Sequence, residues 1–305
     1  MDTAWLAESR PVQGLAALLN LRILPPHVDR ILLSLACFQF IYMVLAGRFA
    51  QFFMPKQWSR FTEDDKANWN RRMVSLAQSL VIGPACLYII LRQRASTNPP
   101  GLMERIWQNY DLEVQILDIA MGYFLFHFAM TVLEYEKHGI QMMMHATIGL
   151  FYIGGAYYPF INYYTVWFLV YEMTNPCLNI YHFLNQLGKP VSPVAIANAS
   201  VWIILFFFIR IVWGTYASIS ICLDLFQLRE APMTLEHLGA DEFAAYRRLE
   251  ADNLRPGPVR NWVFIITVLS SSILQSLNYL WFYLIVTRAL KKVTAKYRKE
   301  TSKAD

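Results

Sequence analysis

Several ionisable side chains lie inside long apolar runs of this chain, among them Asp118, His127, His145, Glu172 and Arg210. At the centre of a bilayer each costs about 2.5–3.5 kcal/mol on insertion scales, so such groups face a bundle interior or a cavity that supplies partners. The densest patch is Val170-Tyr171-Glu172-Met173-Thr174-Asn175-Pro176-Cys177-Leu178-Asn179. At about 100° per residue, Glu172, Asn175 and Asn179 fall on one helical stripe, with His182 at its edge. Pro176 has no backbone N–H, so the carbonyl four residues earlier, that of Glu172, is expected to lose its helical partner. A carboxylate and a freed carbonyl at one level would form a polar notch. Gln141, His145, Gly149 and Tyr152 share a face of another helix. Either patch can serve a ligand or simply hydrogen-bond neighbouring helices, and the sequence leaves both readings open. Asp118 and His127 are nine residues apart and point to nearly opposite faces, so one straight helix cannot bring them into one site. An unpaired guanidinium in mid-span is costly, and Arg210 is expected to pair with Glu172 or Asp118.

The elements that carry these residues follow from hydropathy. The chain has 305 residues, 56% of them hydrophobic and 16% charged. Soluble proteins carry about 25% charged residues. A spanning helix needs about 20 mostly apolar residues. Seven runs qualify: Ile31 to Phe53, Met73 to Leu91, Val114 to Leu133, Ile140 to Tyr158, Tyr163 to Phe183, Val194 to Leu223 and Trp262 to Leu290. The first is interrupted by Arg48, which can snorkel to the interface. Links near Lys137, Asn162 and Lys189 are short, which forces antiparallel neighbours. The one large loop, Asp224 to Arg260, is expected to hold a short polar helix over Asp241–Asn253, ended by Pro256-Gly257-Pro258. The expected fold is an all-α membrane protein, a bundle of about seven transmembrane helices. Residues 1–68 form an N-terminal segment with the first span, 69–292 a six-helix membrane domain, and 293–305 a basic tail. The run Arg288-Ala-Leu-Lys291-Lys292 places the C-terminus on the cytosolic side by the positive-inside rule.

Several function classes drop out. The net charge of +5 is explained by juxtamembrane Lys and Arg facing anionic lipid, and no nucleic-acid partner is expected. Cys37, Cys86, Cys177 and Cys222 lie in apolar runs with no metal-ligand spacing, so neither a disulfide framework nor a metal site is expected. GxGxxG, P-loop, GxSxG and HExxH motifs are absent. A transporter or receptor would call for repeated broken helices, and only the fifth span is clearly broken by its sequence. The sequon Asn198-Ala199-Ser200 opens the sixth span and is expected to carry no glycan.

Short patches, in order along the chain, resemble the TLC-domain family, which contains ceramide synthases, TRAM-type translocon proteins and CLN-type lipid proteins. Trp69-Asn70-Arg71-Arg72-Met73-Val74-Ser75 resembles the segment that opens the domain, and Met121-Gly122-Tyr123-Phe124-Leu125 its third-span motif. Met144-His145-Ala146-Thr147 falls where the family has a His-His pair. Glu172 to Asn179 resembles its Glu-x-Ser/Thr-x-Pro-x-x-Asn stretch. The resemblance covers roughly Trp69 to Lys292 and is closest to an uncharacterised subgroup distinct from the ceramide synthases. It implies a six-span core behind one preceding span, residence in the endoplasmic reticulum, and lipid handling. Its departures are Met144 for the first histidine of the pair, Glu172 with asparagines for a His-Asp-rich stretch, and His127 where the third-span motif often ends in Asp.

The resemblance and the buried polar residues together lead to a protein that binds lipid within its bundle and acts in sphingolipid or phospholipid homeostasis. Membrane lipids would be its partners, a homo-oligomer is possible, and no cofactor is expected. The alternative is an N-acyltransferase that uses acyl-CoA as substrate with a sphingoid base. In that case His145 is the general base and Glu172 its neighbour. Met144 argues against it, because a thioether can neither move protons nor carry an acyl group. The residues expected to line a polar cavity are Asp118, His127, Gln141, Asn175, Asn179, His182 and Arg210.

Overall fold

The computed structural model describes residues 4–97, 99–108, 110–230, 247 and 259–301. Eight principal helices are described: α1 (Pro25–Phe53), α2 (Glu63–Ala95), α3 (Asp111–Leu133), α4 (Tyr135–Gly155), α5 (Asn162–Leu169), α6 (Asn175–Gln186), α7 (Pro193–Arg229) and α8 (Asn261–Thr301). An amphipathic helix, Arg10–Leu19, precedes them, and a short one, Leu102–Trp107, lies between α2 and α3. No strand occurs among the described residues. The fold is that of an all-α membrane protein. Five helical stretches are long and apolar enough to cross a bilayer: α1, α2, Leu102–Leu133, α7 and Asn261–Lys291. The other two predicted spans are helical but fall short of that measure. α4 is bent at its start by Gly139 (φ 70°, ψ 180°), and α5 and α6 are separated by a 3-10 turn over Val170–Thr174.

Local chemistry sets these boundaries. α2 opens on a capping box: the Asp65 N–H donates to Thr62 Oγ1 and the Thr62 N–H donates to Asp65 Oδ2, each at 3.1 Å. Glu63, Asp64 and Asp65 in its first turn complement the helix dipole. α8 runs past the predicted end at Leu290 to Thr301, because the Lys-, Arg- and Ala-rich stretch beyond contains no Gly or Pro to stop it. α7 likewise continues past Leu223. The polar helix expected at Asp241–Asn253 and the Pro256-Gly257-Pro258 stop lie outside the described residues, Arg247 apart.

The packing is inverted relative to a soluble protein. The faces of α1 and α7 expose Leu33, Phe40, Phe52, Ile204, Phe208 and Val212, as a lipid-facing belt requires. The interior holds the polar groups, including Gln78, Asp118, Glu172, Thr174, Asn179, Arg210, Ser271, Gln275 and Asn278. α5 forms the axis: all eight of its residues are buried, against α2, α3, α4 and α7. α1 is clamped to α3 at Gly122, where a Cβ would come within 2.6 Å of the Leu35 backbone nitrogen, and Ser34 Oγ donates to the Ile119 carbonyl at 2.8 Å. Small residues allow this approach of backbones in a membrane.

Candidate functional site

The polar centre forms where the 3-10 turn meets α7. The sequence leads one to expect the Glu172 carbonyl to be stranded by Pro176. Instead the tighter 3-10 winding lets the Asn175 N–H donate to it. The turn thus repairs what proline would break and delivers Glu172 and Asn175 to one side. α7 answers with a π-helical stretch, Phe207–Trp213, that carries Arg210 inward to 4% exposure. Widened π turns of this kind recur at functional positions.

Arg210 and Glu172 do not form the direct pair expected from the sequence; Asn175 stands between them. Its Nδ2 donates to Glu172 Oε2 at 2.7 Å and its Oδ1 accepts from Arg210 Nη2 at 3.2 Å. The guanidinium also donates from Nε to Thr174 Oγ1 (2.9 Å), from Nη1 to Asn278 Oδ1 (3.3 Å) and from Nη2 to the Tyr171 carbonyl (3.1 Å). It lies over the rings of Tyr171 and Phe206 at 5.5 and 5.3 Å. Four of its five donors are directed at fixed acceptors. Gln275 Nε2 donates to the Arg210 carbonyl at 3.0 Å, which ties the knot to α8. Gln78 lies beside Glu172, yet its amide makes no hydrogen bond of ordinary geometry.

A second group lies on the other side of Glu172. His145 and Glu172 line one small cavity together with Phe124, Tyr152, Phe168 and Leu274. Its volume is about 30 Å³, enough for about two waters and far short of an acyl chain. His145 Nδ1 is buried and has no hydrogen-bond partner. The His127 ring stands edge-on to His145, centroids 6.1 Å apart, and stacks on Tyr123 at 5.7 Å. Trp281 of α8 closes the group, 5.5 Å from His145. Two histidines from different helices thus meet, although Met144 removes the adjacent pair from the sequence of α4.

The remaining predicted residues lie elsewhere. Asp118 belongs to the opposite end of α3. It is fully buried, accepts from Tyr157 Oη at 2.9 Å and lies 2.9 Å from His27 Nδ1, with Arg30 at 3.7 Å. It anchors the start of α1. Gln141 is exposed near the bend of α4 and accepts from Trp281 Nε1 at 3.3 Å, because the Gly139 bend sets this first turn at the rim. Asn179 is buried and donates to Ser75 Oγ at 3.1 Å, about two turns along the chain from Glu172. His182 is half-buried near the other end of α6, about 15 Å from Glu172 by helical rise. Asn198 lies inside α7 and donates to the Cys177 carbonyl at 2.9 Å. Among the described residues no His, Cys, Asp and Glu group is arranged to hold a metal ion.

The sequence reading missed the contribution of α8. Thr267, Ser271, Gln275 and Asn278 recur at steps of four, four and three, a polar stripe at helical spacing inside an apolar run. Ser271 hydrogen-bonds Tyr152, and Gln275 and Asn278 support Arg210. That periodicity was the available signal.

An apolar belt around a hydrogen-bonded polar core, with a histidine pair beside a carboxylate, defines a helical integral membrane protein with a functionalised interior. The signature of the TLC domain matches residues 68–287, and the chain belongs to the TLC-domain family. It is similar to an uncharacterized TLC domain-containing protein of Schizosaccharomyces pombe, 28% identical over 70% of this chain and 71% of that one. An uncharacterized TLC domain-containing protein of Saccharomyces cerevisiae is 31% identical over 52% of this chain and 51% of its own length. TLC domain-containing protein 4 of Homo sapiens is 26% identical over 60% of this chain and 70% of its own.

Proposed function

We propose that this protein binds a membrane lipid within its bundle, in the endoplasmic reticulum, and acts in membrane lipid homeostasis. The observation that carries the reading is the shared cavity of His145 and Glu172. An unpartnered imidazole nitrogen and a buried carboxylate face one space walled by aromatic and aliphatic side chains. Buried polar atoms in native proteins are normally paired, so an orphaned one in a cavity is suited to a ligand's polar group. The space takes a carbonyl or hydroxyl group as it stands. An acyl chain enters only if α3, α4 and α8 part, which makes the half-buried His127, His145 and Trp281 side the natural opening.

A second reading is favoured by the approach of His127 to His145: N-acyl transfer from acyl-CoA to a sphingoid base, with His145 as general base. Lipidomics of a deletion strain complemented with wild type, His145→Ala or Glu172→Gln separates the two. A ceramide change that follows both residues supports acyl transfer. A phospholipid change without a ceramide change, weakened by His145→Ala and Glu172→Gln, supports binding at this cavity. Unaltered lipid composition in the deletion strain would count against both.

A further inference from the structure

Among the described residues, three inward-facing arginines are held by acceptors and a fourth, Arg72, is not. Arg71 is clamped by both carboxylate oxygens of Glu134. Arg105 makes a two-point contact with Asp224, at 2.6 and 2.9 Å. Arg210 is held as described above. Arg72 is half-buried, and no hydrogen bond or ion pair engages it among the described residues.

Its position is fixed by the packing of α2 on α6. Ser75 meets Asn179, the Trp69 ring lies 4.3 Å from that of Phe183, and the Asp65 carbonyl accepts from Gln186 Nε2 at 3.1 Å. The two helices are therefore antiparallel at this seam. Arg72, between Trp69 and Ser75, stands at the level of His182. His127 stacks on Tyr123 of α3, a helix that packs against α2. The Glu134 carboxylate on this side is taken up by Arg71, and His138 lies 3.7 Å from it. His127 in turn leads to His145 and so to the Glu172 cavity.

We propose that Arg72 seats the phosphate of an acyl-chain amphiphile whose apolar part extends along His127 toward His145. A half-buried guanidinium without a counter-ion is costly to hold, and phosphate matches its planar array of donors. The level of Arg72, at the polar end of the apolar run that begins with Met73, is where a headgroup would lie while its chain enters the bundle. The inference rests on the lipid-binding reading above and adds the chemistry of the headgroup.

The test is saturation binding to the purified full chain in detergent micelles, read by native mass spectrometry. The probes are oleoyl lysophosphatidate, oleoyl-CoA, monooleoylglycerol and inorganic phosphate. Wild type is expected to bind oleoyl lysophosphatidate or oleoyl-CoA about tenfold more tightly than monooleoylglycerol, a factor worth about 1.4 kcal/mol. Whichever phosphate carrier binds more tightly identifies the source of the phosphate. Arg72→Gln is expected to bring that ratio to about one while leaving monooleoylglycerol binding unchanged, which also shows that the variant is folded. Arg72→Lys should keep part of the preference. Equal wild-type affinity for charged and neutral probes, or an undiminished preference in Arg72→Gln, would overturn the phosphate seat and leave lipid binding standing. Inorganic phosphate binding as tightly as the lipids would overturn it in favour of a free-anion site. No saturable binding of any acyl probe would overturn the lipid-binding reading itself.

Discussion

Asn175 is the residue on which the polar core turns. Its amide faces a carboxylate with its donor and a guanidinium with its acceptor, so one side chain links two buried groups that do not touch. Removing one partner from such a network leaves the others unsatisfied, at about 1–3 kcal/mol per group. Asn175→Ala is therefore expected to lower thermal stability in micelles by about that amount. In a double-mutant cycle with Glu172→Gln the two losses should be less than additive. Strict additivity would show that Asn175 and Glu172 act independently. Arg210→Lys should recover little stability, because an ammonium cannot span acceptors contributed by Tyr171, Thr174, Asn175 and Asn278. The sequence showed that Glu172, Asn175 and Arg210 were buried and polar, since each interrupts an apolar run. It did not show how they connect, because the connection crosses from α6 to α7 and periodicity speaks only of one helix at a time.

At the scale of elements, two departures from regular helix build the site. The 3-10 turn between α5 and α6 and the π turn in α7 face each other, one tightened and one widened. Pro176 signalled an irregularity. What sequence reasoning could not supply was its form, since the same proline is compatible with a kink or with a 3-10 turn. The close approach of α2 is fixed by Gly83, where a Cβ would lie 2.7 Å from Met173 Cγ and 3.0 Å from its backbone nitrogen. Gly83→Ala should destabilise by about 1–3 kcal/mol through overpacking, although alanine is the better helix former. Gly14, in the Arg10–Leu19 helix with nothing near its Cβ position, should respond with no loss to the same substitution. Equal thermal shifts for the two variants would contradict the close contact at Met173. The predicted start at Ile140 coincides with the bend of α4 at Gly139, although the helix itself begins at Tyr135. Its rim residue Gln141 was not well placed by the sequence, because a helical wheel assigns a face but no depth.

At the scale of the molecule, hydropathy reveals the membrane class and the order of the helices, whereas burial distinguishes their roles. α1 and α7 face outward, and the helices between α2 and α6 hold the interior. The most enclosed stretch, α5 with the 3-10 turn that follows it, is not among the helices long and apolar enough to cross a bilayer. By the positive-inside rule, the basic run at Arg288 to Lys292 predicts a cytosolic C-terminal end for α8. An epitope tag appended there should be cleaved by protease in sealed microsomes without detergent. Protection of the tag would reverse the orientation.

The central claim is that lipid occupies the interior beside His145 and Glu172. It is tested most directly by photo-crosslinking with a diazirine-bearing lysophospholipid and mapping the adducts by peptide mass spectrometry. The account predicts adducts on cavity-lining residues such as Phe124, Ile153, Phe168 and Leu274, suppressed by excess unlabelled lipid. Adducts confined to the outward faces of α1 and α7, insensitive to competitor, would contradict it.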